Sequence, residues 1–274
     1  YNICLILLKK KLHNSFNYRN YLCTFCANNI LNGRKFQMRE MDSLRAEIEY
    51  CIDQYGTKEF ILFDANFLNS MKKAKEVARV FKEYDVKWEF EGRCDKLTEP
   101  FLDMMVECGL QEVASGIETS TVEGMDLINK RLEIDDVLKA SNVIQQYPIR
   151  WKTFFVAGFP HESLEDMDHT VDFATNINSD FISLNVFTPY PGSDLYTQLV
   201  KEFPELDDEI HLFMQRYPRK SFNKSISDEA FIAKCKTMIE AFEIHNHKIS
   251  QTPSKYQHFR FNNEDAPIFA DHYG

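Results

Sequence analysis

From residue 42 to about residue 202 the chain alternates amphipathic helical periods with short apolar runs, and this rhythm limits the folds open to it. Residues 42–55 put Leu44, Ile48 and Cys51 on one helical face. Gly56 follows, where a glycine can take the left-handed conformation that ends a helix. Residues 59–63 read as a buried strand, 70–84 as a helix capped by Asn69 or Ser70, and 86–90 as an alternating strand. A helix over 98–108 stops at Gly109, a strand covers 111–117, and a helix over 135–146 ends before Pro148. Then come a strand at 151–157, a helix at 163–177 opened by the capping pattern Ser163-Leu-Glu-Asp166, a strand at 181–187 and a helix at 193–202. Strict alternation of this kind implies a parallel α/β sheet. There are five βα units, or six if a strand precedes Cys23. Periodicity alone leaves a doubly wound sheet and a partial or full barrel both open.

Composition narrows the function classes. A chain of 274 residues with 44% hydrophobic content can bury a sizeable core. The net charge of −10 argues against a general grip on nucleic-acid phosphates. Seven cysteines at irregular spacing do not form the framework of a secreted disulfide protein, so a reducing, cytoplasmic setting is expected. The opening run YNICLILL is too short for the roughly twenty apolar residues of a membrane helix, and its lysines follow it rather than precede it. No membrane and no nucleic-acid partner is expected. Because the first residue is Tyr, the chain reads as a fragment or a processed product. Residues 1–18 are either an upstream strand and linker or sequence foreign to the domain, and 205–274 form a polar, aromatic extension with one helix over 228–247.

Parallel α/β folds collect ligands at the C-terminal ends of their strands. The residues there are Asp64-Ala-Asn-Phe67, Glu91-Gly-Arg93, Ser115-Gly-Ile-Glu118, Gly158-Phe-Pro-His-Glu162 and Thr188-Pro-Tyr-Pro-Gly192. Any one of these is an ordinary loop, but together they keep phase with the strands. Ahead of them stands Cys23-Thr-Phe-Cys26, a pair that by itself could hold a metal, exchange thiols or do neither. A zinc site would need a second Cys or His pair at suitable spacing, and none is visible.

The ordered set CTFC, FDANF, GRCD, SGIETS, FVAGFPHES and TPYPGSDLY resembles the radical S-adenosylmethionine (radical SAM) superfamily, in the branch usually associated with an upstream cobalamin-binding domain. The resemblance covers roughly 19–200 and implies a partial parallel (β/α)6 barrel over 19–204 with a mixed C-terminal extension. It also implies a [4Fe–4S] cluster on a Cys-x3-Cys-x2-Cys motif, with Cys23 and Cys26 as its second and third ligands and Phe25 as the aromatic before the last cysteine. Three thiolates leave one iron open to S-adenosylmethionine. By the same resemblance Asp64 and Asn66 approach the cosubstrate's amino group, Arg93 its carboxylate, and Glu118 its ribose or methionine end. Gly158, Pro160 and Glu162 lie beside the adenine, and Thr188 stands at the last strand end. The implied partners are a small-molecule substrate and an electron donor such as flavodoxin or ferredoxin. Cobalamin, where used, would be bound by a domain absent from this chain, since Asp271-His-Tyr-Gly does not match the family's Asp-x-His-x-x-Gly motif.

The pattern departs at one point. The first cluster cysteine is replaced by Arg19, and no cysteine lies between positions 5 and 22. Four readings stay open: an inauthentic N-terminal sequence, Cys4 looping back as third ligand, a degenerate barrel without a cluster that binds a ligand or partner, or a non-cysteine ligand other than arginine, which stays protonated. Cys51, Cys94, Cys108 and Cys235 are expected as small buried hydrophobes, and His245-Asn-His247 points its rings to different helix faces. Trp88 and Trp151 should fill the barrel or its coat.

Overall fold

The computed structural model describes residues 3–6, 23–27, 39–64, 66–213 and 215–251. Six strands form one sheet in the order of the chain: β1 (Ile3–Ile6), β2 (Glu59–Leu62), β3 (Lys87–Glu91), β4 (Leu110–Glu118), β5 (Arg150–Ala157) and β6 (Phe181–Val186). Every neighbouring pair is parallel. Sequential order with parallel neighbours and helical crossovers is the wall of a partial (β/α)6 barrel, as the resemblance implied. The first strand, Ile3–Ile6, lies within residues 1–18, and the rest of that segment is outside the described residues.

The crossover helices are α1 (Met41–Tyr55), α2 (Met71–Glu83), α3 (Glu99–Glu107), α4 (Val122–Leu127), α5 (Ile134–Ile144) and α6 (Leu164–Asn176), and α7 (Asp194–Glu202) follows the last strand. A short α8 (Leu206–Glu209) and the long α9 (Asp228–Ser250) follow. Helix α1 buries Leu44, Ile48 and Cys51 and ends at Gly56, with φ of 61°. Ser70 caps α2 by accepting from the Lys73 N–H. On α6 the Ser163 hydroxyl and the Asp166 carboxylate each accept the other residue's backbone N–H, a full capping box. Helix α4 was not anticipated; it is a short turn opened by Thr121, whose hydroxyl accepts the Gly124 N–H at 3.0 Å.

Strand alternation sorts the sheet into two faces. Phe60, Leu62, Trp88, Phe90, Val113, Ile117, Trp151 and Phe155 point to the helices and are almost wholly buried. Trp88 stacks on Phe81 at 5.2 Å and on Phe90 at 5.7 Å, and donates its indole N–H to the Cys108 carbonyl at 2.8 Å. Both tryptophans therefore belong to the coat and not the lumen. The opposite, inner face carries Glu89, Glu91, Glu112, Arg150 and Lys152.

An open barrel leaves an edge strand, and here the C-terminal helix covers it. The Asn246 side chain on α9 accepts the Ile182 N–H at 2.8 Å and donates to the Ile182 carbonyl at 2.9 Å, imitating a further strand. His245 bonds the Ser179 carbonyl at 3.0 Å, and the Val186 N–H donates to the Gln215 carbonyl. Phe231, Cys235 and Met238 pack α9 onto Ala157, Met167 and Val186. Replacing Asn246 with Ala strands both backbone groups of Ile182. Urea denaturation should register a loss of about 1–3 kcal/mol, and an unchanged midpoint would show that the amide does not close the edge.

Candidate functional site

The site is assembled where the strands end. The Cys23–Cys26 loop is a tight turn, with the Cys26 N–H donating to the Cys23 carbonyl at 3.2 Å. It is stitched to two helices: Thr24 N–H to the Ile128 carbonyl after α4, and Leu195 N–H on α7 to the Thr24 carbonyl, both at 2.9 Å. Phe25 meets Phe159 edge-on at 5.4 Å, so the aromatic between the cysteines anchors the loop to the β5 turn. Both thiols are half-buried, and burial raises the Cys23 thiol while the Lys130 ammonium pulls it down.

Lys130 is the residue sequence reasoning passed over. It lies in the Asn129-Lys130-Arg131 turn, whose outer residues both take left-handed φ values of 51°. Arg93 imposes that turn: its guanidinium donates to the Lys130 carbonyl at 2.8 Å and the Arg131 carbonyl at 2.5 Å, while its Nε bonds Asp95 at 2.9 Å. The Arg93 fork is thus engaged by the chain's own backbone at Lys130 and Arg131. The buried ammonium of Lys130 pairs with Glu118 at 2.7 Å. Glu118 itself has φ of 76°, a strained setting for a residue with a side chain. Gly116 makes room for the pair, because a Cβ there would stand 2.2 Å from Glu118 Oε1 and 3.2 Å from Lys130 Nζ. An asparagine before a lysine is a weak hint of a left-handed turn, and the only signal the sequence offered.

The β5 turn is built from inside. Gly158 has φ of 93°, and a Cβ on it would press into the Phe231 ring at 2.6 Å. Glu162 accepts the Gly158 N–H at 2.6 Å through Oε2, and its other oxygen is buried with no hydrogen-bond partner among the described residues. Its carboxyl is therefore turned to the chain's own turn and holds that loop. Burial pushes it up to about 8 against two backbone hydrogen bonds that pull it down. Pro160 is half-buried on that turn, and His161 stacks on Phe159 at 5.7 Å.

At the end of β2, Asp64 is buried, and Asn66 donates to Asn69 at 3.0 Å while its own carbonyl oxygen is buried without a hydrogen-bond partner among the described residues. Thr188 is buried past β6, its hydroxyl 3.4 Å from the Val186 carbonyl. Tyr190 follows, within electrostatic reach of Cys26 and bonded to the Gln215 side chain.

The structure thus brings together Cys23, Cys26, Phe25, Glu118, Lys130 and the Gly158 turn. Two donors suit a cluster, and the described residues contain no group of three potential metal ligands. Arg19 lies outside the described residues, and Cys4 lies on β1 in register with Phe60. The residues present fit the second and third cluster positions and supply no first. They fit S-adenosylmethionine better: an orphaned acceptor at Asn66, a buried cation at Lys130 and a glycine turn at Gly158 offer complements to its ammonium, carboxylate and adenine.

Comparison with known proteins gives the family. The family model described as the radical SAM superfamily matches residues 17–174. Cytidylyl-2-hydroxyethylphosphonate methyltransferase of Streptomyces wedmorensis is 28% identical over 73% of this chain and 39% of its own length. The anaerobic magnesium-protoporphyrin IX monomethyl ester cyclase of Rubrivivax gelatinosus is 26% identical over 70% of this chain and 34% of its own. The chain therefore spans under two fifths of these curated relatives. Among solved structures, the radical S-adenosylmethionine methyltransferase TsrM of Kitasatospora setae, with cobalamin and a [4Fe–4S] cluster bound, superposes with a TM-score of 0.63 at 18% identity, over 73% of this chain and 39% of that one. No helix among the described residues is long and apolar enough to cross a membrane.

Glu162 yields a pH prediction with a definite sign. Its folded pKa, about 8, is raised above the ordinary 4.5, so the stability it contributes is complete below about pH 4.5 and is lost as pH rises through about 8. The melting temperature should fall between pH 5 and 8.5, and less steeply in Glu162→Gln, which keeps an acceptor for Gly158 but cannot ionise. Parallel curves for the two proteins would refute the assignment.

Proposed function

From the premise that this chain belongs to the radical SAM superfamily, we propose that its barrel, residues 19–204, binds S-adenosylmethionine across the strand ends. It would do so as part of a larger radical methyltransferase or ring-forming enzyme. The observation that carries the proposal is the convergence of the Cys23–Cys26 loop, the Glu118–Lys130 pair and the Gly158 turn on one mouth. The methyltransferase and cyclase relatives support the reaction class and leave the substrate open.

Each residue then has a task. The Asn66 carbonyl oxygen, backed by Asp64, accepts from the cosubstrate's ammonium; satisfying a buried orphan acceptor is favourable by itself. Lys130 spends one of its three donor positions on Glu118 and keeps the others for the carboxylate. Arg93 acts through it, as the residue that positions the turn. The Gly158 backbone and Pro160 lie along the adenine, Glu162 holds that turn, and Thr188 closes the far side. Phe25 against Phe159 keeps water from the cysteine loop. Cys23 and Cys26 would hold a [4Fe–4S] cluster at two of its three thiolate positions. When reduced by a cytosolic donor such as flavodoxin or ferredoxin, that group and S-adenosylmethionine supply a 5′-deoxyadenosyl radical for hydrogen abstraction, or a methyl group where a separate domain brings cobalamin. No step assigned to this chain's residues depends on it.

A second reading is favoured by Arg19 in the first cysteine position: the same barrel without a cluster, binding its ligand but performing no redox chemistry. Anaerobic reconstitution with iron and sulfide analysis separates the two, since about four irons per chain support the enzyme and none supports the binding module. Cosubstrate binding is measured on the same preparation by equilibrium dialysis. Lys130→Met should weaken S-adenosylmethionine by about tenfold or more, the cost of losing a charge-assisted hydrogen bond. Equal affinity in a folded variant would contradict the role given to Lys130.

A further inference from the structure

The barrel lumen holds a second cluster of ionisable groups, below the mouth. Strand register arranges it in layers. At the floor, Glu89, Glu112 and Arg150 stand opposite one another on β3, β4 and β5, and Arg150 pairs with Glu112 at 3.0 Å. One layer higher, register aligns Glu91, Ala114, Lys152 and Phe181. Above that come Gly116, Phe154 and Ser183, and at the mouth the Glu118–Lys130 pair.

At the floor Arg150 neutralises Glu112 and at the mouth Lys130 neutralises Glu118, which leaves Glu89, Glu91 and Lys152 without an ion pair among the described residues. Lys152 directs its ammonium over two rings, 5.1 Å from Phe181 and 5.3 Å from Phe154, with no ion pair to any carboxylate among the described residues. Glu91 reaches solvent and Glu89 is half-buried, and neither makes a side-chain hydrogen bond among the described residues. Burial raises both carboxyls, Glu89 to about 7 with help from Glu112, while Lys152 opposes the rise in each. Two acids and a lysine face the same space without bonding to one another. Ala114 and Gly116, the smallest side chains on β4, leave that space open beneath the mouth.

These groups restrict what can fill the lumen. An apolar occupant would strip water from three ionisable side chains and return nothing. An anion alone would meet Glu91, and a cation alone would meet Lys152. A head carrying both charges satisfies each in turn, with the Phe154 and Phe181 faces lining its apolar neighbour. At about 3.3 Å per strand residue, Ala114 lies about 13 Å below Glu118 on β4, a span suited to a small molecule. We propose that Glu91 and Lys152, with Phe154 and Phe181 beside them, form a subsite for the zwitterionic head of a small-molecule substrate, its anionic group on Lys152 and its ammonium on Glu91. As the substrate site of a catalytic barrel, this rests on the function proposed above; as a binding site it needs neither cluster nor cosubstrate.

The test uses three probes that share one aliphatic body: norleucine with both charges, hexanoate with the carboxylate alone, and pentylamine with the ammonium alone. Dissociation constants are measured on the full chain by calorimetry at neutral pH. Norleucine should bind at least about tenfold tighter than either relative. Lys152→Met should reduce it to the level of pentylamine, Glu91→Gln to the level of hexanoate, and Lys152→Arg should keep most of the affinity. The arginine variant also guards against misfolding of the methionine one. Equal affinity for the three probes, or none for norleucine, overturns the subsite. So does a loss caused by Lys130→Met and not by Lys152→Met, which would place norleucine at the mouth. S-adenosylmethionine binding, followed separately, reports on the function: if it persists while the norleucine preference is absent, only the subsite fails.

Discussion

The mouth of this barrel depends on how one buried ammonium is held. Taking a lysine out of water is costly unless it is paired and its neighbours are fixed. Glu118 supplies the charge, Gly116 the space, and Arg93 the geometry, by fastening the carbonyls of Lys130 and Arg131. Two left-handed residues and a left-handed Glu118 are the conformational cost of that arrangement. The cysteine loop in turn rests on Ile128, just ahead of the same turn, so the order of one depends on the order of the other.

The remaining architecture serves that mouth. Apolar strand residues face the helices and make a coat of interlocked aromatics around Trp88, which leaves the inner face free to be polar. A closed hydrophobic barrel would have no chamber; an open one must protect its edge. Asn246 and the Gln215 carbonyl do so at β6, and α9 also sets Phe231 beneath the Gly158 turn. The C-terminal extension thus both seals the sheet and supports the Gly158 turn.

The alternation of elements was legible because each helix shows its buried stripe and its stop: Leu44, Ile48 and Cys51 before Gly56, or the Ser163–Asp166 box. Periodicity did not reveal α4, which is too short to display a stripe and is held by the Thr121 cap and its tertiary setting. At the site, residue type pointed to the strand ends and was silent on which groups of the chain itself would engage each side chain there. Arg93 and Glu162 have the chemistry to bind a ligand, yet backbone groups nearby capture them. That capture goes with the left-handed turns at Asn129, Arg131 and Gly158, which local pattern announces only weakly. Asn246 was equally hidden, because an amide that imitates a strand is defined by the edge it meets and not by its neighbours in the chain. The lumen charges escaped notice for a related reason: an acid on alternate strand positions reads as solvent-facing until the sheet curls around it.

The central claim is that the strand-end mouth recognises S-adenosylmethionine through the turn that Arg93 holds. Amide hydrogen exchange with and without S-adenosylmethionine tests it most directly. Added cosubstrate should slow exchange in the segments around Asn66, Gly116–Glu118, Asn129–Arg131 and Gly158–Glu162, and leave α1 and α2 on the barrel's outside unchanged. Unaltered exchange in all four segments at saturating S-adenosylmethionine, in a chain that remains folded, would contradict the account.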